Sequence, residues 1–118
     1  MISLCSPLPH RDSWYPVFID RDGLLSIWDQ DALARDVQAW EGEPKKSWFR
    51  YCDSSCLTIA YAYVSNGSIS FENGRHRTRW LLQQGYQNIP ISMTSRSIVN
   101  AIELGIFNRR AFEGECIM

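Results

Sequence analysis

Hydrophobic and polar residues alternate along the chain in blocks whose periods predict short strands and helices. The apolar run at residues 14–19 predicts a strand. Within it, Pro16 indicates a strand start or a sheet edge, because proline cannot donate to a ladder. A helix is predicted to begin directly after this strand, with the Asp20 carboxylate as its N-cap.

The middle of the chain predicts a second helix and a second strand. Apolar residues recur at helical spacing at Leu33, Val37 and Trp40, and the polar residues 41–46 that follow indicate a loop. Residues 57–64 are rich in β-branched and aromatic side chains and predict a strand. Periodicity alone leaves a short buried helix open as the alternative for this run.

The second half of the chain continues to alternate between strand and helix signals. The Asn-Gly pair at 66–67 predicts a hairpin turn, and residues 69–71 after it predict a strand. Residues 77–84 predict a helix that ends at Gly85, and residues 89–93 predict another strand. This succession of elements is typical of a compact domain that combines helices with a sheet.

A last helix is predicted near the C-terminus. Its N-cap is expected at Thr94-Ser95 or at Ser97, and Gly105 follows the helix. Its apolar residues lie on one face of the helix and are Ile98, Val99 and Ile102. The predicted fold class is therefore α+β (α/β), a short mixed sheet flanked by helices. We expect residues 1–13 to form a loosely held N-terminal arm and residues 14–118 to form a single domain.

Composition excludes several classes of protein. The chain has 118 residues, a net charge of −1 and 15 aromatic side chains, which argues against disorder. It has neither an apolar run of about 20 residues nor a recognisable signal peptide, so we expect no membrane insertion and a cytoplasmic location in a bacterium. The four cysteines are too few and too irregularly spaced for a disulfide scaffold, and we expect Cys52 and Cys56 to be reduced.

Charge is distributed unevenly. Residues 20–43 carry seven acidic and two basic side chains, whereas residues 44–118 carry nine basic and five acidic ones. Arg75, Arg77 and Arg79 lie within five residues of one another. Such a local concentration of positive charge attracts a small anionic ligand even when the net charge is close to zero.

The most informative segment runs from a predicted strand through Gly74 into a predicted helix. The N-terminus of a helix presents backbone N–H groups and the positive end of its dipole, so anions bind there. Arg75, His76 and Arg77 add donors at the same point, and the guanidinium of Arg77 is suited to bidentate binding of phosphate. The alternative is an exposed polar loop whose arginines are merely solvated.

Residues 71–82, Phe-Glu-Asn-Gly-Arg-His-Arg-Thr-Arg-Trp-Leu-Leu, resemble the loop that binds nucleotide phosphates in the ParB/sulfiredoxin superfamily. Residues 17–28 and 79–91 extend this likeness, and together the segments are similar to the plasmid fertility-inhibition factors, the Osa/FiwA family. That resemblance implies a ParB/sulfiredoxin-like fold and inhibition of conjugative DNA transfer through type IV secretion. The sulfiredoxin loop has cysteine where this chain has Arg75, so sulfiredoxin activity is not expected.

The resemblance implies an effector that binds nucleotide or DNA phosphates at the loop Gly74–Arg77 and hydrolyses ATP or DNA. In that hypothesis the catalytic residues are Glu72 as base or metal ligand, His76 as acid, and Arg77 as the group that stabilises phosphate charge. The phosphate-binding residues are Asn73, Gly74, Arg75, His76 and Arg77. ATP and Mg²⁺ are the implied cofactors, and the implied partners are nucleotide, the DNA backbone, and a type IV secretion or plasmid-transfer protein.

Two alternatives remain open. The protein could be a non-catalytic inhibitor that binds a nucleotide or a component of a secretion or defence system, with the acidic residues 20–43 as its docking face. The Cys-x₃-Cys pair Cys52 and Cys56 could contribute to a metal site, but zinc would need two further ligands. We therefore expect no structural zinc.

Overall fold

The computed structural model describes residues 3–5, 13–28, 44, 48–49, 56–112 and 115. The predicted second helix lies outside these residues, and so does the predicted loop at 41–46 except for Pro44. The described strands are β1 (Ser3–Cys5), β2 (Tyr15–Asp20), β3 (Cys56–Thr58), β4 (Ala60–Ser65), β5 (Ser68–Asn73), β6 (Asn88–Met93) and β7 (Phe107–Arg110). The described helices are α1 (Arg21–Ile27), α2 (Arg75–Gln83) and α3 (Ser95–Glu103).

Five of these strands form one mixed sheet in the order β5-β4-β6-β2-β7. Strands β4 and β6 are parallel, and the other neighbours are antiparallel. The connection from β4 to β6 passes through β5 and α2, which brings the β5–α2 junction close to β4 in space. The prediction of a small α+β domain with a short mixed sheet is confirmed.

Local sequence signals fix several boundaries. The Asp20 carboxylate accepts a hydrogen bond from the Gly23 N–H, which confirms it as the N-cap of α1. Asn66 and Gly67 both have positive φ, of 53° and 73°, as the predicted hairpin turn between β4 and β5 requires. Thr94 caps α3 by accepting from the Ser97 N–H. The predicted strand at residues 57–64 is confirmed and is interrupted between β3 and β4.

The structure decides two points that the sequence left open. Pro16 lies near the start of β2, as predicted, but β2 is an interior strand because β7 covers it. The Pro16 carbonyl accepts a hydrogen bond from the Ala111 N–H at 2.9 Å. On α3, Val99 and Ile102 are 50% and 54% exposed, since the helix packs on the sheet through small residues such as Ala101.

A second, two-stranded sheet pairs β1 with β3 in parallel. Cys5 in β1 and Cys56 in β3 form a disulfide, with their Cα atoms 5.6 Å apart. The expectation of a reduced Cys56 was therefore wrong, because the fold brings together residues 51 positions apart that no spacing rule connects. Leu4 is fully buried, so this part of the predicted arm is held against the domain.

The hydrophobic core lies between the main sheet and its helices. Trp80 and Leu81 of α2 face inward and belong to the same core cluster as Leu24 of α1 and Ile91 of β6. The Arg21 guanidinium donates to the Leu82 carbonyl in the last turn of α2 and to the Tyr86 carbonyl after the helix. Within the described part of the chain, no helix has the length and hydrophobicity needed to cross a bilayer.

Candidate anion-binding site

The junction between β5 and α2 depends on Gly74. This residue has φ +95° and ψ 15°, a left-handed conformation that glycine adopts without steric cost. A Cβ at this position would lie 2.5 Å from the Cβ of Ala60 and 2.7 Å from its Cα. Glycine thus allows the start of α2 to lie directly against β4, where the helix N-terminus lines a pocket.

The first turn of α2 is built differently from that of α3. Thr94 supplies a side-chain cap to α3, whereas Gly74 has no side chain to cap α2. The first turn of α2 also contains no acidic residue, although the helix dipole favours negative charge there. Instead it carries Arg75, His76 and Arg77, so positive side chains and the positive end of the dipole face the same region.

Arg77 is the most unusual side chain of the junction because it is only 8% exposed. Its one hydrogen bond runs from Nη2 to the Ile59 carbonyl at 3.4 Å, and its Nε is buried without an acceptor among the residues the structure describes. Burial lowers the pKa of the Arg77 guanidinium, and the electrostatic influence of Tyr61 opposes this shift. No carboxylate pairs with Arg77 in the described part of the chain.

A surface pocket of about 600 Å³ opens at this junction. Its lining includes every residue that the sequence predicts for the site: Glu72, Asn73, Gly74, Arg75, His76 and Arg77. Glu72, Asn73 and Arg75 are exposed, and His76 is half-buried. The arrangement places one carboxylate, one imidazole and two guanidinium groups around a space large enough for a phosphate-bearing ligand.

Trp48 and Phe71 also line the pocket in the described part of the chain. Trp48 is held in place because its carbonyl accepts a hydrogen bond from the Thr58 hydroxyl at 2.8 Å and its ring lies 6.1 Å from that of Trp80. The sequence prediction did not include Trp48, since no local pattern connects it with a loop more than twenty residues farther along. Aromatic side chains of this kind provide flat apolar surfaces beside the polar groups of a ligand pocket.

Several other charged residues lie outside the pocket. Asp20 serves as a helix cap, and neither it nor Asp22 lines the pocket. Arg109 and Arg110 belong to β7 at the opposite edge of the sheet, so they do not extend the anion site. The Arg109 guanidinium pairs with Glu115, while Arg110 lies over the ring of Tyr15.

No group of three or more metal-binding side chains occurs among the described residues. Of the Cys-x₃-Cys pair, Cys56 is bonded to Cys5, so its sulfur is not a thiolate ligand in this structure. Cys52 lies outside the described residues. Among the described lining residues, Glu72 is the carboxylate. Mg²⁺ commonly takes one or two protein carboxylates together with phosphate oxygens, so this donor set fits Mg²⁺ bound jointly with a phosphate ligand.

Fold and site together define a small α+β domain with a positively charged pocket where a strand leads into a helix. The sequence model of the Plasmid Fertility inhibition factor family matches residues 16–104, a span that contains the whole pocket. The chain belongs to the plasmid fertility inhibition factor family. Comparisons with curated proteins and with solved structures gave no significant match. The resemblance to this family is confirmed, and the wider ParB/sulfiredoxin assignment stays a prediction.

Proposed function

We propose that this plasmid fertility inhibition protein binds the phosphate groups of a nucleotide or of nucleic acid in the pocket at residues 72–77. The observation that carries the proposal is Arg77, a buried guanidinium with no carboxylate partner among the described residues. A buried charge without a counter-charge is costly, and an anionic ligand is the group that would compensate it.

The surroundings of Arg77 support phosphate rather than a carboxylate side chain of a protein partner. A phosphate presents several acceptor oxygens, and the pocket offers donors from two arginines and the backbone of an uncapped helix start. Gly74 leaves this backbone open to close approach. The nearby Trp48 and Phe71 provide an apolar surface suited to the base of the same ligand.

In this proposal, the protein inhibits plasmid transfer by acting on a plasmid-transfer or type IV secretion component, and phosphate binding is part of that action. Among the described residues, Arg75 and Arg77 are the basic side chains that line the pocket, so binding to DNA would use backbone phosphates and would not read the base sequence. The protein would act either on transferred DNA or on a nucleotide that the transfer machinery uses.

Hydrolysis of the bound phosphate ester is the second candidate function, because Glu72 and His76 line the same pocket as Arg77. In that reaction a water oxygen attacks phosphorus while Glu72 accepts the water proton and His76 donates a proton to the leaving oxygen. Arg77 would stabilise the charge that develops on the phosphoryl group. Bound Mg²⁺ would supply further charge neutralisation.

Calorimetric titration with ATP and with a single-stranded oligonucleotide at low salt tests the binding proposal. Arg77→Met should weaken binding by about 1.5–3 kcal/mol, the range for a hydrogen bond that involves a charged group. Arg96→Met is the matched control, because Arg96 lies in the first turn of α3, is exposed, and does not line this pocket. Equal affinities for wild type and Arg77→Met would refute the site.

Glu72→Gln separates binding from hydrolysis. If the pocket is catalytic, this variant should bind ATP with Mg²⁺ but release no phosphate, whereas wild type releases phosphate under the same conditions. Absence of turnover in wild type, together with stoichiometric binding, would leave the non-catalytic inhibitor as the function of this pocket.

A further inference from the structure

The disulfide between Cys5 and Cys56 is connected to the anion pocket by a short series of contacts. Cys56 begins β3, which pairs with β1 and is cross-linked to it by this bond. At the other end of β3, the Ile59 N–H donates to the Cys5 carbonyl at 3.2 Å. The same residue, Ile59, presents its own carbonyl to the Arg77 guanidinium at 3.4 Å.

Strand β3 also supports two other parts of the pocket. Its Thr58 hydroxyl donates to the Trp48 carbonyl, and Trp48 lines the pocket. Ala60, the second residue after β3, lies against Gly74 at the start of α2. The position of β3 therefore affects the buried guanidinium, the aromatic wall and the helix start.

Strand β1 is only three residues long, and several contacts hold it in place. It pairs with β3, its Leu4 N–H donates to the Glu115 carbonyl, and the Leu4 side chain is fully buried in the hydrophobic core. A strand of this length has little stability without further support. The disulfide is thus the covalent link that keeps β1 beside β3.

We propose, on the basis of the phosphate site proposed above, that the Cys5–Cys56 disulfide is a redox switch that regulates anion binding at Arg77. Reduction by a dithiol breaks the Sγ–Sγ bond: two electrons and two protons convert the disulfide into two thiols, and the dithiol becomes a disulfide. Without the bond, the Cys5 end of β1 is held beside β3 by non-covalent contacts alone, so the Cys5 carbonyl is held less firmly as the acceptor of the Ile59 N–H. The Ile59 carbonyl then fixes the guanidinium less firmly.

The expected direction is that oxidation favours binding. In reducing compartments disulfides are rare, and those that form there are commonly transient and regulatory. A protein with this switch would bind phosphate strongly while the pair is oxidised and weakly after a dithiol has acted on it.

The test is titration of oxidised and reduced wild type with ATP, with the thiol state determined by mass spectrometry after alkylation. We expect the oxidised form to bind at least tenfold more tightly. The Cys5→Ser, Cys56→Ser double variant should bind as weakly as the reduced form under both conditions. Cys52→Ser and Cys116→Ser are matched controls that should retain the redox response.

Hydrogen exchange without ligand provides a second readout that does not depend on the double variant folding well. The Ile59 amide should exchange faster in the reduced wild type, while amides in β6 should keep their protection. Equal ATP affinity in the two redox forms would overturn the switch and leave the phosphate site standing. No ATP binding in either form would overturn the phosphate site and the switch with it.

Discussion

Replacement of Gly74 by alanine tests whether close packing of α2 on β4 builds the site. The left-handed conformation, with φ +95°, costs a residue with a Cβ about 1–2 kcal/mol. The new methyl would lie 2.5 Å from the Cβ of Ala60 and 2.7 Å from its Cα. Because one of these atoms belongs to the backbone, rotation of a side chain cannot relieve the contact, and overpacking adds about 1–3 kcal/mol. The expected total loss of stability is about 2–5 kcal/mol.

Gly85→Ala is the matched control for this prediction. Gly85 also has positive φ, of +86°, but nothing lies within 4 Å of a Cβ added there. It should therefore show only the conformational cost of about 1–2 kcal/mol. Urea denaturation measures the free energy of unfolding of both variants. A loss at Gly74 no larger than the loss at Gly85 would refute the packing argument.

A double-mutant cycle makes the comparison sharper. Ala60→Gly removes the methyl that the new Cβ would meet, so it should recover part of the loss in the Gly74→Ala background. The coupling energy between the two positions then isolates the contact from the backbone strain. Additive effects would mean that α2 does not lie against Ala60.

Three further outcomes are expected. Arg21→Ala should lower the free energy of unfolding by about 1 kcal/mol, because the substitution removes hydrogen bonds to carbonyls at and just after the C-terminal end of α2. Arg96→Ala is the control and should change the free energy of unfolding little, because Arg96 is exposed. The hydrogen bond from Arg109 lowers the pKa of the Glu115 carboxyl. The pair therefore stabilises the fold above about pH 4.3, and this contribution disappears as the pH falls through the lowered pKa. Glu115→Gln should flatten that part of the curve of unfolding free energy against pH, measured by denaturation. Single-stranded DNA should bind with a log–log salt slope that corresponds to about 3–5 phosphate contacts, and a tight, sequence-specific complex at high salt would contradict this expectation.

Elements with a chemical signal in their own residues could be predicted from the sequence. Asp20 caps α1, Gly85 follows α2 with positive φ, and the Asn-Gly pair forms the hairpin turn, because each depends on local backbone chemistry. The lining from Glu72 to Arg77 could be predicted for the same reason, since strand, glycine and helix follow one another along the chain. The functional roles of these residues remain predictions.

Features that depend on distant contacts could not be predicted in this way. The Cys5–Cys56 bond and the position of Trp48 result from how β1, β3 and the main sheet come together. The exposure of Val99 likewise depends on which side of α3 packs against the sheet. Small residues such as Ala101 allow the helix to lie closer to the sheet on that side. Helical periodicity identifies an apolar face, but tertiary packing decides whether that face is covered.

The burial of Arg77 predicts opposite effects on stability and on binding. An unsatisfied buried polar group costs about 1–3 kcal/mol, so Arg77→Met should make the ligand-free protein more stable by up to that amount. Wild type should gain about 2.7 kcal/mol from ATP at a hundred times its dissociation constant, and the variant, with binding weaker by about 1.5–3 kcal/mol, should gain only about 0.3–1.3 kcal/mol at the same concentration. Denaturation with and without ATP measures both quantities on one sample. If Arg77→Met lowered the stability of the ligand-free protein and ATP still stabilised the variant fully, Arg77 would be a structural residue, and the pocket would owe its ligand to other groups.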